Sequence, residues 1–173
     1  ASEHLLNKIY ALLQKSTSRE VSGFLNALSK ARLKSIGWYR RRKILSTLEK
    51  ACSCRVAHLD ARDIAMTVNA FGKMEHPSPV LFEEVAKAAL SVIRKGEFNA
   101  QNLANTVNAF GKMEHRSPVL FEEVVKAALS VIRKGEFNAE DLAITVNAVG
   151  KREHRSPVLF EEVAKAALSV IRK

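Results

Sequence analysis

GEFNAQNLANTVNAFGKMEHRSPVLFEEVVKAALSVIRK, residues 96–134, follows AHLDARDIAMTVNAFGKMEHPSPVLFEEVAKAALSVIRK at 57–95 without a linker and runs directly into GEFNAEDLAITVNAVGKREHRSPVLFEEVAKAALSVIRK at 135–173. Each block is 39 residues long; the second and third differ at 6 positions and the first and second at 10. Agreement this close marks duplication. A duplicated unit of this length is one supersecondary element that cannot bury its apolar face alone. The period therefore predicts an all-α fold, an α-solenoid of tandem helix-turn-helix repeats in which each unit covers its neighbour.

Two helices with legible ends lie in each block. The first starts at an Asx N-cap (Asp60, Asn99 or Asn138) and runs about 13 residues to the Gly-Lys pair; in the first copy Ile64, Val68 and Phe71 make one stripe at i, i+4, i+7. The second starts at Ser-Pro. Ser78, Ser117 and Ser156 are expected as caps, and Pro79, Pro118 and Pro157 fall at the first helical position, where a missing N–H costs nothing. It ends before Gly96 and Gly135, which suit a left-handed C-terminal turn. Its polar line is narrow (Glu83, Lys87, Ser91 and Arg94 in the first copy), so this helix is expected to need cover on several sides, more than its own partner supplies.

Outside the near-copies the rhythm persists more loosely. SREVSGFLNALSK (18–30) matches ARDIAMTVNAFGK (61–73), with Val21, Leu25 and Leu28 in place of Ile64, Val68 and Phe71. Residues 38–56 supply the accompanying second helix, with Leu45, Leu48, Ala51 and Cys52 inward, and SEHLLNKIYALLQK (2–15) reads as a lone amphipathic helix. The expected organisation is one continuous domain: an N-terminal capping helix or half-repeat at 1–16, a diverged basic repeat at 17–56, and repeats at 57–95, 96–134 and 135–173. The last helix turns outward an apolar face drawn from Val158, Val163, Ala167 and Val170. Either the chain is cut there or a protein partner covers that end, because terminal repeats ordinarily carry a polar outer face.

The formal net charge of +10 suggests a polyanionic partner, but it is local: residues 1–56 hold 12 Lys+Arg against 3 Asp+Glu, whereas 57–173 hold 16 against 15. Charged residues break every apolar run well short of the roughly 18 positions a membrane span needs. No charged segment followed by an apolar one marks a secretory leader. Cys52 and Cys54, two apart on a helix, point in different directions and are expected as buried free thiols, compatible with a reducing compartment.

The run F-N-A-Q-N-L-A-N-T-V-N-A-F-G-K (98–112), with S-P-V-L-F-E-E-V-A-K-A-A-L (78–90) as the second-helix pattern, resembles the octotricopeptide and heptatricopeptide types of helical repeat found in algae and related protists, often in RAP-domain proteins. The resemblance covers 57–173 well and 17–56 loosely. It implies import into an organelle, mitochondrion before plastid, and binding of organellar RNA with the first helix of each repeat lining a concave face; some relatives sit in ribosomes. The chain departs from the pattern at Asn69, Asn108 and Asn147, where an aromatic or Leu is more usual, and the 173 residues contain no RAP domain.

Two groups of residues are candidates for RNA contact. The sharper is Lys30, Arg32 and Lys34 followed by Trp38, Tyr39, Arg40, Arg41, Arg42 and Lys43, which sets cations beside the only Trp at a helix start. Guanidinium groups pair with phosphates and rings stack on bases. Cations are unfavourable at a helix N-terminus, so four in succession ask for an anionic partner; the competing reading is a solvated helix start with Trp38 in the core. The second group is the line opposite the Ile64-Val68-Phe71 stripe: Arg62, Met66, Asn69 and Lys73, then Gln101, Asn105, Asn108 and Lys112, then Glu140, Ile144, Asn147 and Lys151. Asn reaches base edges and Lys reaches phosphates, so these side chains would read one nucleotide per repeat; the competing reading is a solvated face.

Other recurrent residues read as structural. His76, His115 and His154 lie in the inter-helix turn without a metal-ligand set. Glu83-Glu84, Glu122-Glu123 and Glu161-Glu162 are surface residues, the first of each pair standing four before Lys87, Lys126 or Lys165 in the helix-stabilising order. No nucleophile–base set or phosphate loop appears, so no catalysis, cofactor, metal or small-molecule substrate is expected. The chain reads as a helical-repeat protein binding organellar RNA, with ribosome association a possibility; the alternative is a protein-binding scaffold or accessory subunit of a large organellar complex.

Overall fold

The computed structural model describes residues 2–31, 37–151 and 157–171. Among them there are helices and turns and no strand: α1 (Ser2–Lys15), α2 (Ser18–Lys30), α3 (Trp38–Ser53), a 3-10 turn (Val56–His58), α4 (Ala61–Lys73), α5 (Pro79–Arg94), α6 (Ala100–Lys112), α7 (Pro118–Arg133), α8 (Ala139–Gly150) and α9 (Pro157–Ile171). Helices α2, α4, α6 and α8 pack one after another in a row, and α3, α5, α7 and α9 form a second row beside it. Each helix of the first row also touches its successor in the second, and α1 lies on α3. No helix is long and apolar enough to cross a membrane among the described residues.

Local chemistry sets the helix ends. Asp60, Asn99 and Asn138 accept from the backbone N–H three residues on, at 2.8, 2.8 and 2.7 Å. This satisfies a first-turn donor that the helix cannot pair itself. At α2 the same work is done by a reciprocal capping box: Thr17 N donates to Glu20 Oε2 at 2.7 Å while Glu20 N donates to Thr17 Oγ1 at 3.3 Å. Gly96 and Gly135 take φ of 75° and 72°, the left-handed turn expected of them. Helices α4 and α6 end in the same geometry with glutamate in the left-handed position, Glu75 at φ 52° and Glu114 at φ 53°. His76 N then donates to Phe71 O, and His115 N to Phe110 O, both at 3.2 Å.

Three expectations need correction. Ser78 and Ser117 precede α5 and α7 but neither side chain caps its helix. The Ser78 hydroxyl donates instead to Glu49 Oε1 of α3 at 2.5 Å. Ser156, like His154, lies outside the described residues. The second helix is covered by more than its own partner, α5 touching α3, α4 and α7, but less completely than expected: nine residues of α4 are buried, whereas in α5 Val80 is 66% exposed and Ala88, Leu90 and Val92 are half-buried. The first row is the tighter because its facing residues are small; a Cβ built on Gly72 would meet the Ala109 Cα at 3.4 Å. Finally, Cys54 is exposed, and only Cys52 is buried.

The core runs along the interior of both rows. Phe82 of α5 meets Phe110 of α6 edge to face at 5.0 Å between centroids, with His115 5.9 and 5.5 Å from the two rings. Between α2 and α4 a buried polar tie adds to the apolar contact, Ser22 Oγ donating to Asp63 Oδ1 at 2.6 Å. Each buried partner there satisfies the other.

Candidate nucleic-acid interface

The basic segment forms the end of α2 and the first turns of α3. Gly37 occupies the N-cap of α3 without a side chain to offer, and no acidic residue stands in the first turn. Trp38 and Tyr39 are 70% and 69% exposed, so the ring that might have served the core faces outward. The Arg42 guanidinium lies over the Trp38 ring, 5.4 Å from its centroid, a cation–π arrangement that holds both in a shared plane of approach. Lys30 and Arg40 are exposed and Lys43 is half-buried. Arg41 turns inward and donates through Nη2 to the carbonyl of Met74, at the C-terminus of α4. Arg32 and Lys34 lie outside the described residues.

The polar line on the first-row helices is exposed at its ends and half-buried in its middle. Arg62, Lys73, Gln101, Lys112, Asn147 and Lys151 are exposed, and Asn69, Asn105 and Asn108 are half-buried. The structure brings the two candidate groups together at one point, since Lys73 directly precedes the Met74 carbonyl that holds Arg41.

At that meeting point α3 and the turn after α4 enclose a cleft of ≈ 450 Å³. Trp38, Arg41, Arg42 and Leu45 form its α3 wall, with Glu75, His76 and Pro77 opposite. Glu49 also lines it, with Oε2 3.1 Å from His76 Nε2 while Oε1 accepts from Ser78. Sequence reasoning missed Glu49; the available signal was its being the only acidic residue between Trp38 and Val56.

The glutamate pairs are not uniformly surface residues. Glu83, Glu122 and Glu161 pair with Lys87, Lys126 and Lys165 at 3.4, 2.9 and 3.0 Å, as the spacing predicts. The second members are half-buried, and two of them bridge helices: Arg94 Nε lies 3.5 Å from Glu123, and Arg133 Nε 3.4 Å from Glu162. Hydrogen bonding from Lys126 and Lys165, with help from these arginines, holds the carboxyls of Glu123 and Glu162 below the usual carboxylate range.

Among the described residues no group of three or more His, Cys, Asp or Glu side chains is arranged to hold a metal ion. His76 and His115 instead pack on Phe71 and Phe110. Compared with protein-family models and with curated protein sequences, the chain matches none.

Proposed function

We propose that this chain is a non-catalytic α-solenoid of 39-residue repeats that binds single-stranded or looped RNA through the first turns of α3. The observation that carries this reading is the outward placement of Trp38 and Tyr39 on a helix start that follows them with Arg40, Arg41, Arg42 and Lys43 and has no acid in its first turn. The helix dipole and four cations repel one another there, and a phosphate backbone relieves both. The solenoid reading is supported by the two rows of helices and the exact 39-residue spacing of their ion pairs, Arg94–Glu123 and Arg133–Glu162. An organellar setting, mitochondrion before plastid and with a ribosome among the candidate assemblies, belongs to the same reading through the resemblance of the repeats.

The test is RNA affinity against salt concentration for the parent chain and for Arg40→Glu/Arg42→Glu, with helix content checked by circular dichroism. Neither side chain is buried, so the fold should persist. Loss of tenfold or more in affinity and a shallower salt dependence are expected. Unchanged affinity would overturn the proposal.

A second reading, a protein-binding scaffold, is favoured by one specific comparison. Phe121 of α7 is 3% exposed, whereas its counterpart Phe160 of α9 is 39% exposed; Ala104 of α6 is buried and its counterpart Ala143 of α8 is exposed. The α8–α9 face thus repeats the chemistry that α6–α7 buries against a neighbour, and a helix pair of similar character is the occupant it suits. Ala167 and Val170, also expected on that face, lie outside the described side chains. Sedimentation of the 173-residue chain should show concentration-dependent association that an appended polar capping helix abolishes; a monomer at all concentrations would remove this reading.

A further inference from the structure

Position four of each second-row helix is phenylalanine in α5, α7 and α9 (Phe82, Phe121 and Phe160), and arginine in α3 (Arg41). Phe82 fills the space beside Phe110 and His115. Arg41 lines the ≈ 450 Å³ cleft beside His76 and reaches across to the Met74 carbonyl. The cleft lies at the junction that also carries the exposed Trp38 and Tyr39.

We infer that this cleft is a pocket for one unstacked nucleotide, guanine before the other bases. The inference rests on the RNA reading above and names what that site would hold. The cleft's volume is within the ~300–1,000 Å³ typical of small-ligand sites. Trp38 with Arg42 against it offers a stacking surface at the mouth, and Pro77 supplies an apolar opposing wall. The Arg42 guanidinium, which lies over the Trp38 ring, supplies a cation suited to the phosphate of a bound nucleotide.

Base choice follows from Glu49. Glu49 is held in position by Ser78 and His76, and a carboxylate that accepts from two partners still has lone pairs to offer. Guanine presents two adjacent N–H donors, N1–H and the N2 amino group, a match for a carboxylate. Adenine and cytosine offer an amino group beside an acceptor, and uracil one N–H between two carbonyls that a carboxylate repels.

Trp38 is the only tryptophan of the chain, so its fluorescence reports on this cleft alone. Titration of the intact chain with GMP, AMP, CMP, UMP and inorganic phosphate should give saturable quenching by GMP at about tenfold lower concentration than by UMP, the discrimination one good paired contact supplies. Phosphate should leave the fluorescence unchanged. Arg41→Phe places a bulky ring in the cleft wall in place of a cation and should abolish GMP quenching while the protein stays folded. Glu49→Gln should reduce the preference for GMP over AMP without abolishing quenching. Equal responses to all four nucleotides, no saturable response, or a GMP affinity unchanged by Arg41→Phe would overturn the pocket. RNA binding measured separately by anisotropy keeps the two proposals distinct: RNA binding without GMP quenching removes the pocket and leaves the interface, whereas GMP quenching without RNA binding does the reverse.

Discussion

Arg94 Nε of α5 lies 3.5 Å from the Glu123 carboxylate of α7, and Arg133 and Glu162 repeat that bridge 39 residues later. The same register upstream pairs Arg55 with Glu84, yet Arg55 is spent elsewhere. It donates to Ser16 O at 3.1 Å, to Ala51 O at 2.8 Å and to Leu13 O, holding the last turn of α1. Glu84 Oε2 is left buried without a hydrogen-bond partner among the described residues. Arg55→Ala should therefore cost about 1.5–3 kcal/mol, the range for charged hydrogen bonds. It should also speed amide exchange across residues 2–15. Glu84→Gln should be neutral or stabilising, because it removes charge from an incompletely paired group. Denaturant unfolding and hydrogen exchange on the two variants check both statements, and an undisturbed α1 in Arg55→Ala would show that Arg55 does not hold it.

Gly72 faces Ala109 across the α4–α6 contact, with ordinary van der Waals room for one Cβ and none beyond it. Gly72→Ala should be tolerated and gain up to about 1 kcal/mol from helix propensity. Gly72→Leu should destabilise by about 1–3 kcal/mol, because the added atoms must separate two close helices. Thermal melts of the two variants should move in opposite directions.

Identical chemistry at two levels of burial makes a sensitive comparison. Ala104→Glu buries a carboxylate between α6 and its neighbours and should cost several kcal/mol or prevent folding. Ala143→Glu, at the counterpart position on exposed α8 surface, should leave the melting temperature nearly unchanged and weaken any self-association. A loss in Ala143→Glu as large as in Ala104→Glu would mean that the two positions are equally enclosed.

The two cysteines should separate in reactivity. Burial pushes the Cys52 thiol up to about 12, whereas Cys54 is exposed. A thiol reagent should label one site in the native protein and two in denaturant. The folded-state pKa of Cys52 exceeds its unfolded value of about 8.5, so the unfolded chain loses this proton first and stability should fall as pH rises above that value. The carboxyls of Glu123 and Glu162 are shifted down, so their contribution is present above the ordinary carboxylate pKa and is lost as pH falls through the lower folded-state value. Stability against pH should thus decline on both sides of neutrality, with Cys52→Ala flattening the alkaline side only.

Much of the helix pattern was legible because its determinants are local. An Asx residue before a helix accepts the N–H three positions on, a proline fits the first turn, and a glycine adopts the left-handed end, so Asp60, Pro79 and Gly96 needed no knowledge of their neighbours in space. The capping box from Thr17 to Glu20 was equally local and was overlooked. Ser78 misled for the opposite reason: its sequence neighbours make it a cap, but the hydroxyl bonds to Glu49, 29 residues away. The candidate site divides in the same way. The run of aromatic and basic residues from Trp38 to Lys43 is visible in the chain, but whether Trp38 faced the core or solvent depended on what the second row packed against it.

Residue order alone carries the 39-residue duplication and the helical character of the chain, because caps, prolines, glycines and apolar spacing act within a few residues of one another. What residue order left open was which row packs more tightly, that Arg55 holds α1 and leaves Glu84 behind, and that Trp38, Glu49 and His76 line one cleft. Each of these is a choice between partners distant along the chain, and the energy of such a choice depends on distance and burial, which residue order does not contain.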